Sequence, residues 1–327
     1  MTMSPAAGDK PVNPSNLIGL DYRRVPQWAV DVPLFDVHTH VRTAEGVEAF
    51  FEAAAAYGVR RVLSMQSILE APRLRERWGR RVGFIAVPRW AEFALTDAFS
   101  RQWRADLAEF RDLGATLCKF WVAPPMRDEH GLTLDHPFME PIIAHALDLG
   151  YSFMVHVGDP TLWWNSRYAD TARFGTKRAQ YQQLEHLLRR VSPRLVIGAH
   201  MGGTVEDCDL LQELFDRHPN YVIDTSATKW VVREVSRHPQ RVRELVIRNA
   251  DRVLFGSDCV TEPRHDFDHY ASRYWAQRTL WETAHDGLSP IEDPDAVGAP
   301  LLRGVNLPPE TLRKVYAENA IRLGLDA

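Results

Sequence analysis

The residues best equipped for chemistry are histidines and acids at the ends of short apolar runs. Phe35-Asp36-Val37-His38-Thr39-His40 closes one such run with a His-x-His. Side chains alternate across a strand, so His38 and His40 share one face, where two imidazoles can grip one metal ion. By itself the pattern fits capping or hydrogen-bonded histidines equally well. Three other positions repeat the placement: His156 after Phe153-Met154-Val155, His200 in Ile197-Gly198-Ala199-His200-Met201-Gly202-Gly203, and Asp258 in Phe255-Gly256-Ser257-Asp258. Singly, each reads as a satisfied polar group at a strand end. Together they form a set of imidazoles and a carboxylate of the kind that zinc, manganese and iron prefer.

Such a set needs a scaffold that brings distant strand ends together. Eight short, nearly continuous apolar runs begin near Leu34, Arg60, Val82, Ala115, Tyr151, Arg194, Tyr221 and Arg252, as expected of a buried parallel sheet. Segments with helical spacing lie between them, including 46–57, 100–113, 137–149, 178–191, 205–217 and 231–246. Eight alternations predict an α/β fold of the (β/α)₈ TIM-barrel type, because an open doubly wound sheet would more usually have six strands and a glycine-rich first turn. Neither GxGxxG nor a P-loop is present. In a barrel the C-terminal ends of strands one, five, six and eight surround a common mouth.

The organisation expected is a lead-in over 1–31, a single barrel domain over 32–327, and a closing helix over 307–325. Three long connections, 121–136, 157–177 and 259–306, follow strands and so fall on the active face of a barrel. The last, Pro-punctuated, reads as an insertion that covers the site or mediates a subunit contact.

Composition narrows the function. Of the 327 residues 45% are apolar and 25% charged, and Lys+Arg 39 against Asp+Glu 43 gives a net charge of -4 at pH 7. That balance, without a basic block, argues against nucleic acid and anionic membrane surfaces as partners. No apolar run approaches the roughly 18–20 residues of a membrane span. Residues 1–10 carry no secretory pattern, so a cytoplasmic protein is expected. The three cysteines, Cys118, Cys208 and Cys259, are too few and too scattered for a disulfide framework, and read as buried thiols.

The ordered combination of His38-x-His40, His156, Ala199-His200-Met201-Gly202-Gly203, Phe255-Gly256-Ser257-Asp258 and the closing Val315-Tyr316-Ala317-Glu318-Asn319-Ala320-Ile321-Arg322-Leu323 resembles the amidohydrolase superfamily. The likeness is to the amidohydrolase-related branch that includes aminocarboxymuconate semialdehyde decarboxylase, hydroxybenzoate decarboxylases and several lactone hydrolases. It implies that His38, His40, His156 and Asp258 bind one divalent metal ion, foremost Zn²⁺ with Mn²⁺ or Fe²⁺ as alternatives. It also implies that His200 contacts the metal-bound water or the substrate, and it admits a homodimer. An ion with an open position lowers the pKa of bound water to about 7 and polarises a carbonyl. Asp258 is then expected to accept a proton and His200 to polarise or protonate the substrate.

Four residues are candidates for substrate binding. Lys119, at the end of the fourth strand, stands where binuclear members of the superfamily carry a carboxylated lysine, and it also suits a substrate carboxylate or a solvated strand end. Arg89, at the end of the third strand, is assigned to a substrate carboxylate through its guanidinium fork. Trp121 and Trp163, with Trp90 and Trp164 beside them, are assigned to a pocket for a flat organic substrate. The expected reaction is hydrolysis at a carbonyl carbon of a lactone, amide or ester of a small carboxylated molecule. Non-oxidative decarboxylation of an aromatic or muconate-type acid at the same metal site is the alternative. A non-catalytic barrel holding a structural metal is disfavoured, because His200 is left over as a fifth group.

Overall fold

The structure, a computed structural model, describes residues 13–326. The secretory reading of residues 1–10 therefore lies outside the described residues. The strands are β1 Leu34–His40, β2 Val59–Met65, β3 Val82–Ala86, β4 Leu117–Trp121, β5 Ser152–His156, β6 Val196–Gly198, β7 Tyr221–Asp224, β8 Val253–Leu254 and β9 Cys259–Val260. All neighbours are parallel, in the order β8-β7-β6-β5-β4-β3-β2-β1-β9.

Nine strands occupy eight positions. β8 pairs with β7 and β9 with β1, and the two are halves of one strand interrupted at Phe255-Gly256-Ser257-Asp258. Across the interruption Val37 N donates to Phe255 O at 2.9 Å, and Asp258 N to His38 O at 2.8 Å. These bonds close the sheet on itself, giving a (β/α)₈ TIM barrel with Asp258 at the seam.

The barrel interior is filled by Phe35, Val37, Leu63, Met65, Ile85, Val87, Leu117, Met154, Ile197, Ala199, Val222 and Leu254. Each of these side chains except Ala199 contributes roughly 1.5–3 kcal/mol over leaving it in water. Ala320 and Leu325 of the C-terminal segment join this cluster, and Phe255 N donates to Val315 O in the same segment at 2.9 Å. The floor is thus plugged and only the opposite mouth is available.

Outside the sheet lie the helices Glu48–Ala56, Ala71–Trp78, Asp97–Asp112, Glu140–Asp148, Lys177–Val191, Cys208–Arg217, Thr228–Arg237, Pro239–Arg248 and Phe267–Glu282. The expected 231–246 helix is two helices, divided at His238-Pro239, where proline cannot supply a backbone N–H. The 259–306 connection is not a loose insertion. It holds the helix Phe267–Glu282, which packs against Glu48–Ala56 and Thr228–Arg237 as the barrel's eighth helix, and a short antiparallel pair, β10 Asp286–Leu288 with β11 Leu301–Arg303. Of its residues only Val260 lines the cavity. Among the described residues no helix is long and apolar enough to cross a membrane. All three cysteines are buried free thiols.

Candidate metal centre

Strand β1 delivers its histidines by a local irregularity. Between Asp36 and Thr39 it takes three steps while β2 takes two, from Val62 to Ser64. This extra residue, a β-bulge, resets the alternation. Phe35 and Val37 point into the barrel below it, and His38 and His40 point into the cavity above it. Asp258 comes to them across the seam: its Oδ1 is 3.4 Å from His38 Nε2 and 3.2 Å from His40 Nε2. These three residues present donors that all lie within 4.8 Å of one another, a set able to hold a metal ion. The chemistry of the donors fits a divalent cation, two imidazole nitrogens and a carboxylate with a buried carboxylate behind one imidazole.

That supporting carboxylate is Asp224, at the end of β7, whose Oδ2 is 2.8 Å from His38 Nδ1. Asp224 Oδ1 also accepts the backbone N–H of His200 at 2.9 Å and of Ser226 at 3.0 Å. Burial works against ionising Asp224, yet His38, His200 and Lys119 outweigh it and hold its carboxyl far below the usual range. Asp258 behaves alike: burial raises its pKa, but the hydrogen bond from His40 and the fields of His200, His38 and His40 leave it a firm carboxylate. Burial and then the neighbouring His156 depress the His200 imidazole well below its ordinary value, so it is neutral at pH 7.

Backbone strain gathers here. Asp159, His200, Met201, Ala227 and Asp258 all have positive φ, from 53° to 75°, a conformation that costs non-glycine residues free energy and is enriched at functional sites. Gly203 follows the same turn for a steric reason. A Cβ there would sit 2.1 Å from Val157 O, so glycine permits the close approach that brings His156 beside His200, ring centroids 4.6 Å apart.

Above this floor opens a cavity of about 820 Å³. Its polar end holds His38, His40, His156, His200, Asp258 and Lys119; its outer wall is largely apolar, with Met65, Val87, Trp90, Phe93, Trp121 and Met126. Trp90 and Trp121 meet edge to face, centroids 5.7 Å apart. Lys119 is buried at 4% exposure and, among the described residues, its Nζ has no hydrogen-bond partner. The reading of Lys119 as a solvated strand end is therefore set aside, because β4 aims the side chain inward.

The structure does not gather every expected residue. His156 lines the cavity but stands outside the convergent donor set; its Nε2 is 2.8 Å from Asp159 Oδ1. Arg89 is corrected from a substrate clamp to a structural tie, since its fork grips the buried Asp106 of the helix Asp97–Asp112 at 3.0 and 2.8 Å and it is absent from the cavity wall. Trp163 is corrected likewise. Its Nε1 donates to Asp295 at 3.0 Å, Arg167 lies over its ring, and it too is outside the cavity.

Other residues on the site went unforeseen. Asp224 ends β7 and Ser226 follows two residues on, and an acid at a strand end was the same signal that marked Asp258. Gln66, just past β2, lines the cavity with a buried amide that has no hydrogen-bond partner among the described residues; a lone glutamine carries no such signal in sequence.

The amidohydrolase family model matches residues 14–323. The chain belongs to the amidohydrolase family. As an amidohydrolase it is an enzyme of a metal-dependent family. Comparison with curated protein sequences gives no match. Among solved structures the fold is similar to that of an amidohydrolase from Burkholderia multivorans with bound zinc, at 14% identity and TM-score 0.54, covering 89% of this chain and 99% of that one. It is also similar to 5-carboxyvanillate decarboxylase from Sphingomonas paucimobilis, at 12% identity and TM-score 0.53, covering 90% and 99%. These likenesses speak to the barrel.

Proposed function

We propose that this amidohydrolase uses one divalent ion to hydrolyse a carbonyl compound, a lactone, amide or ester, whose body is small, flat and carboxylated. The observation that carries the reading is the convergence of His38, His40 and Asp258 at the polar end of a roomy, aromatic-walled cavity. His156, which lines the cavity beside His200, is the fourth ligand in this reading, although in the structure its Nε2 is engaged by Asp159. Zinc is the preferred ion, in keeping with imidazole and carboxylate donors.

When bound, the ion supplies Lewis acidity, polarising a carbonyl oxygen and easing deprotonation of water. The chain's own groups do the rest. In this reading Asp258 and His200 take and return a proton. Lys119 offers an unpaired ammonium to a substrate anion, a contact that strengthens in a buried setting. Trp90 and Trp121 give a flat body an apolar surface and exclude water from the floor.

Decarboxylation of an aromatic acid at the same groups is the second reading, favoured by the Trp90 and Trp121 wall and by the activity of the Sphingomonas paucimobilis neighbour, 5-carboxyvanillate decarboxylase. A panel of lactones, esters and aromatic carboxylic acids, assayed for acid release and for carbon dioxide, separates the two. Acid release without carbon dioxide supports hydrolysis; carbon dioxide evolution overturns it in favour of the second.

A further inference from the structure

The Asp224 carboxylate is shared by His38 and His200, and Ser226 completes the sharing. Ser226 Oγ makes its shortest contact with Asp224 Oδ1, and stands 2.7 Å from His200 Nδ1 and 3.0 Å from His38 Nδ1. Asp224 and Ser226 are fully buried, and His38 and His200 nearly so. Bulk water therefore does not compete for these bonds.

The hydrogens can be placed by elimination. A serine has one hydroxyl hydrogen, and an ionised carboxylate only accepts. The shortest contact of Oγ is with a carboxylate oxygen, where an O···O pair without a hydrogen would repel, so the hydroxyl donates to Asp224. Toward the two rings Oγ then offers lone pairs alone. His200 must carry its hydrogen on Nδ1 to meet Oγ at 2.7 Å. His38 carries its own on Nδ1 as well, given to Asp224 Oδ2. Both rings are left with a bare Nε2. In His38 this is the atom that faces Asp258.

We propose that Ser226 is a positioning residue that fixes His200 as the Nδ1–H tautomer, with the bare Nε2 available at the cavity. In this tautomer His200 accepts a proton at Nε2 before it gives one to the substrate. In the hydrolytic reading, on which this catalytic consequence rests, one O–H bond of water breaks as its oxygen bonds to the carbonyl carbon. The proton passes to His200 Nε2, and it leaves again on the departing oxygen or nitrogen when the carbonyl–heteroatom bond breaks. No further reactant is needed.

The test reads the tautomer directly. Full-length protein labelled with ¹⁵N-histidine is examined by long-range proton–nitrogen correlation at about pH 8, where unperturbed imidazole is neutral, with the H200Q variant assigning the His200 signals. The expected spectrum shows His200 protonated on Nδ1 and bare on Nε2. S226A is expected to shift His200 toward the Nε2–H form, and S226T, which keeps a hydroxyl, to restore the wild-type pattern. A wild-type His200 protonated on Nε2 overturns the proposal, as does an S226A spectrum unchanged from wild type. Should S226A fail to fold, the wild-type spectrum alone decides. Because no substrate is present, this result stands or falls independently of the turnover assays that test the proposed reaction.

Discussion

Burial pulls the Lys119 ammonium down to a pKa of about 8, against the opposing fields of Asp224 and Asp258. An unfolded lysine titrates near 10.4. Between those values the unfolded chain binds the extra proton, so stability rises with pH through that window, and below about 8 the folded protein bears the full cost of the charge. Replacing the ammonium with an apolar chain of similar shape, Lys119→Met, is therefore expected to stabilise the protein at pH 7 by about 1–3 kcal/mol in denaturant titrations. The same substitution is expected to weaken binding of a carboxylate ligand about tenfold or more, and wild-type binding of that ligand is expected to weaken as pH rises through about 8. A destabilised Lys119→Met that still binds the anion would refute both the cost and the role. Arg89 gives the opposite case. Asp106→Ala is expected to cost about 1–3 kcal/mol, because it removes both carboxylate acceptors of a partly buried guanidinium, whereas Arg89→Ala should leave ligand affinity unchanged by calorimetry. What could be read at this scale was placement at strand ends, which located His38, His40, His200 and Asp258. What could not was whether a charged side chain already had a partner, since Asp106 lies on another element and its pairing with Arg89 depends on the folded geometry.

At the scale of elements, the strands were legible because a buried parallel sheet is written as short apolar runs. The eighth helix was not, and its composition explains why. Phe267–Glu282 is buried on nearly every side, including Ser272, Gln277, Arg278, Thr279 and Glu282, so it has no apolar stripe to betray it. Its polar residues are satisfied internally: Arg278 reaches Glu282 at 2.5 Å and the carbonyls of Tyr57 and Val30 at 3.1 Å, and Glu282 accepts from Ala29 N and Tyr316 Oη. Read in sequence, those charges look like a solvated loop. In the fold they bind the eighth helix to the first barrel turn and to the C-terminal plug. Glu282→Ala is accordingly expected to destabilise by about 3–5 kcal/mol by leaving Arg278 buried and unpaired. An equilibrium denaturation midpoint within error of wild type would show that the network is dispensable. The β1 bulge is a second feature hidden from pattern reading, since strict alternation already placed His38 and His40 on one face and gave no hint that Val37 shares it.

Seen as a whole molecule, the barrel explains why residues separated by more than two hundred positions act together. The plugged floor, the seam bonds between β1 and the interrupted eighth strand, and the aromatic wall leave one mouth, and the His38, His40 and Asp258 donors stand at its base. A ligand-bound ion stabilises the folded state by mass action, about 2.7 kcal/mol at a hundredfold excess over its dissociation constant. The claim that this mouth holds one catalytic ion is tested most directly by metal content per chain, measured by plasma mass spectrometry on protein purified without chelators. About one divalent ion per chain is the expected result. No bound ion, even after reconstitution with zinc or manganese, would contradict the account.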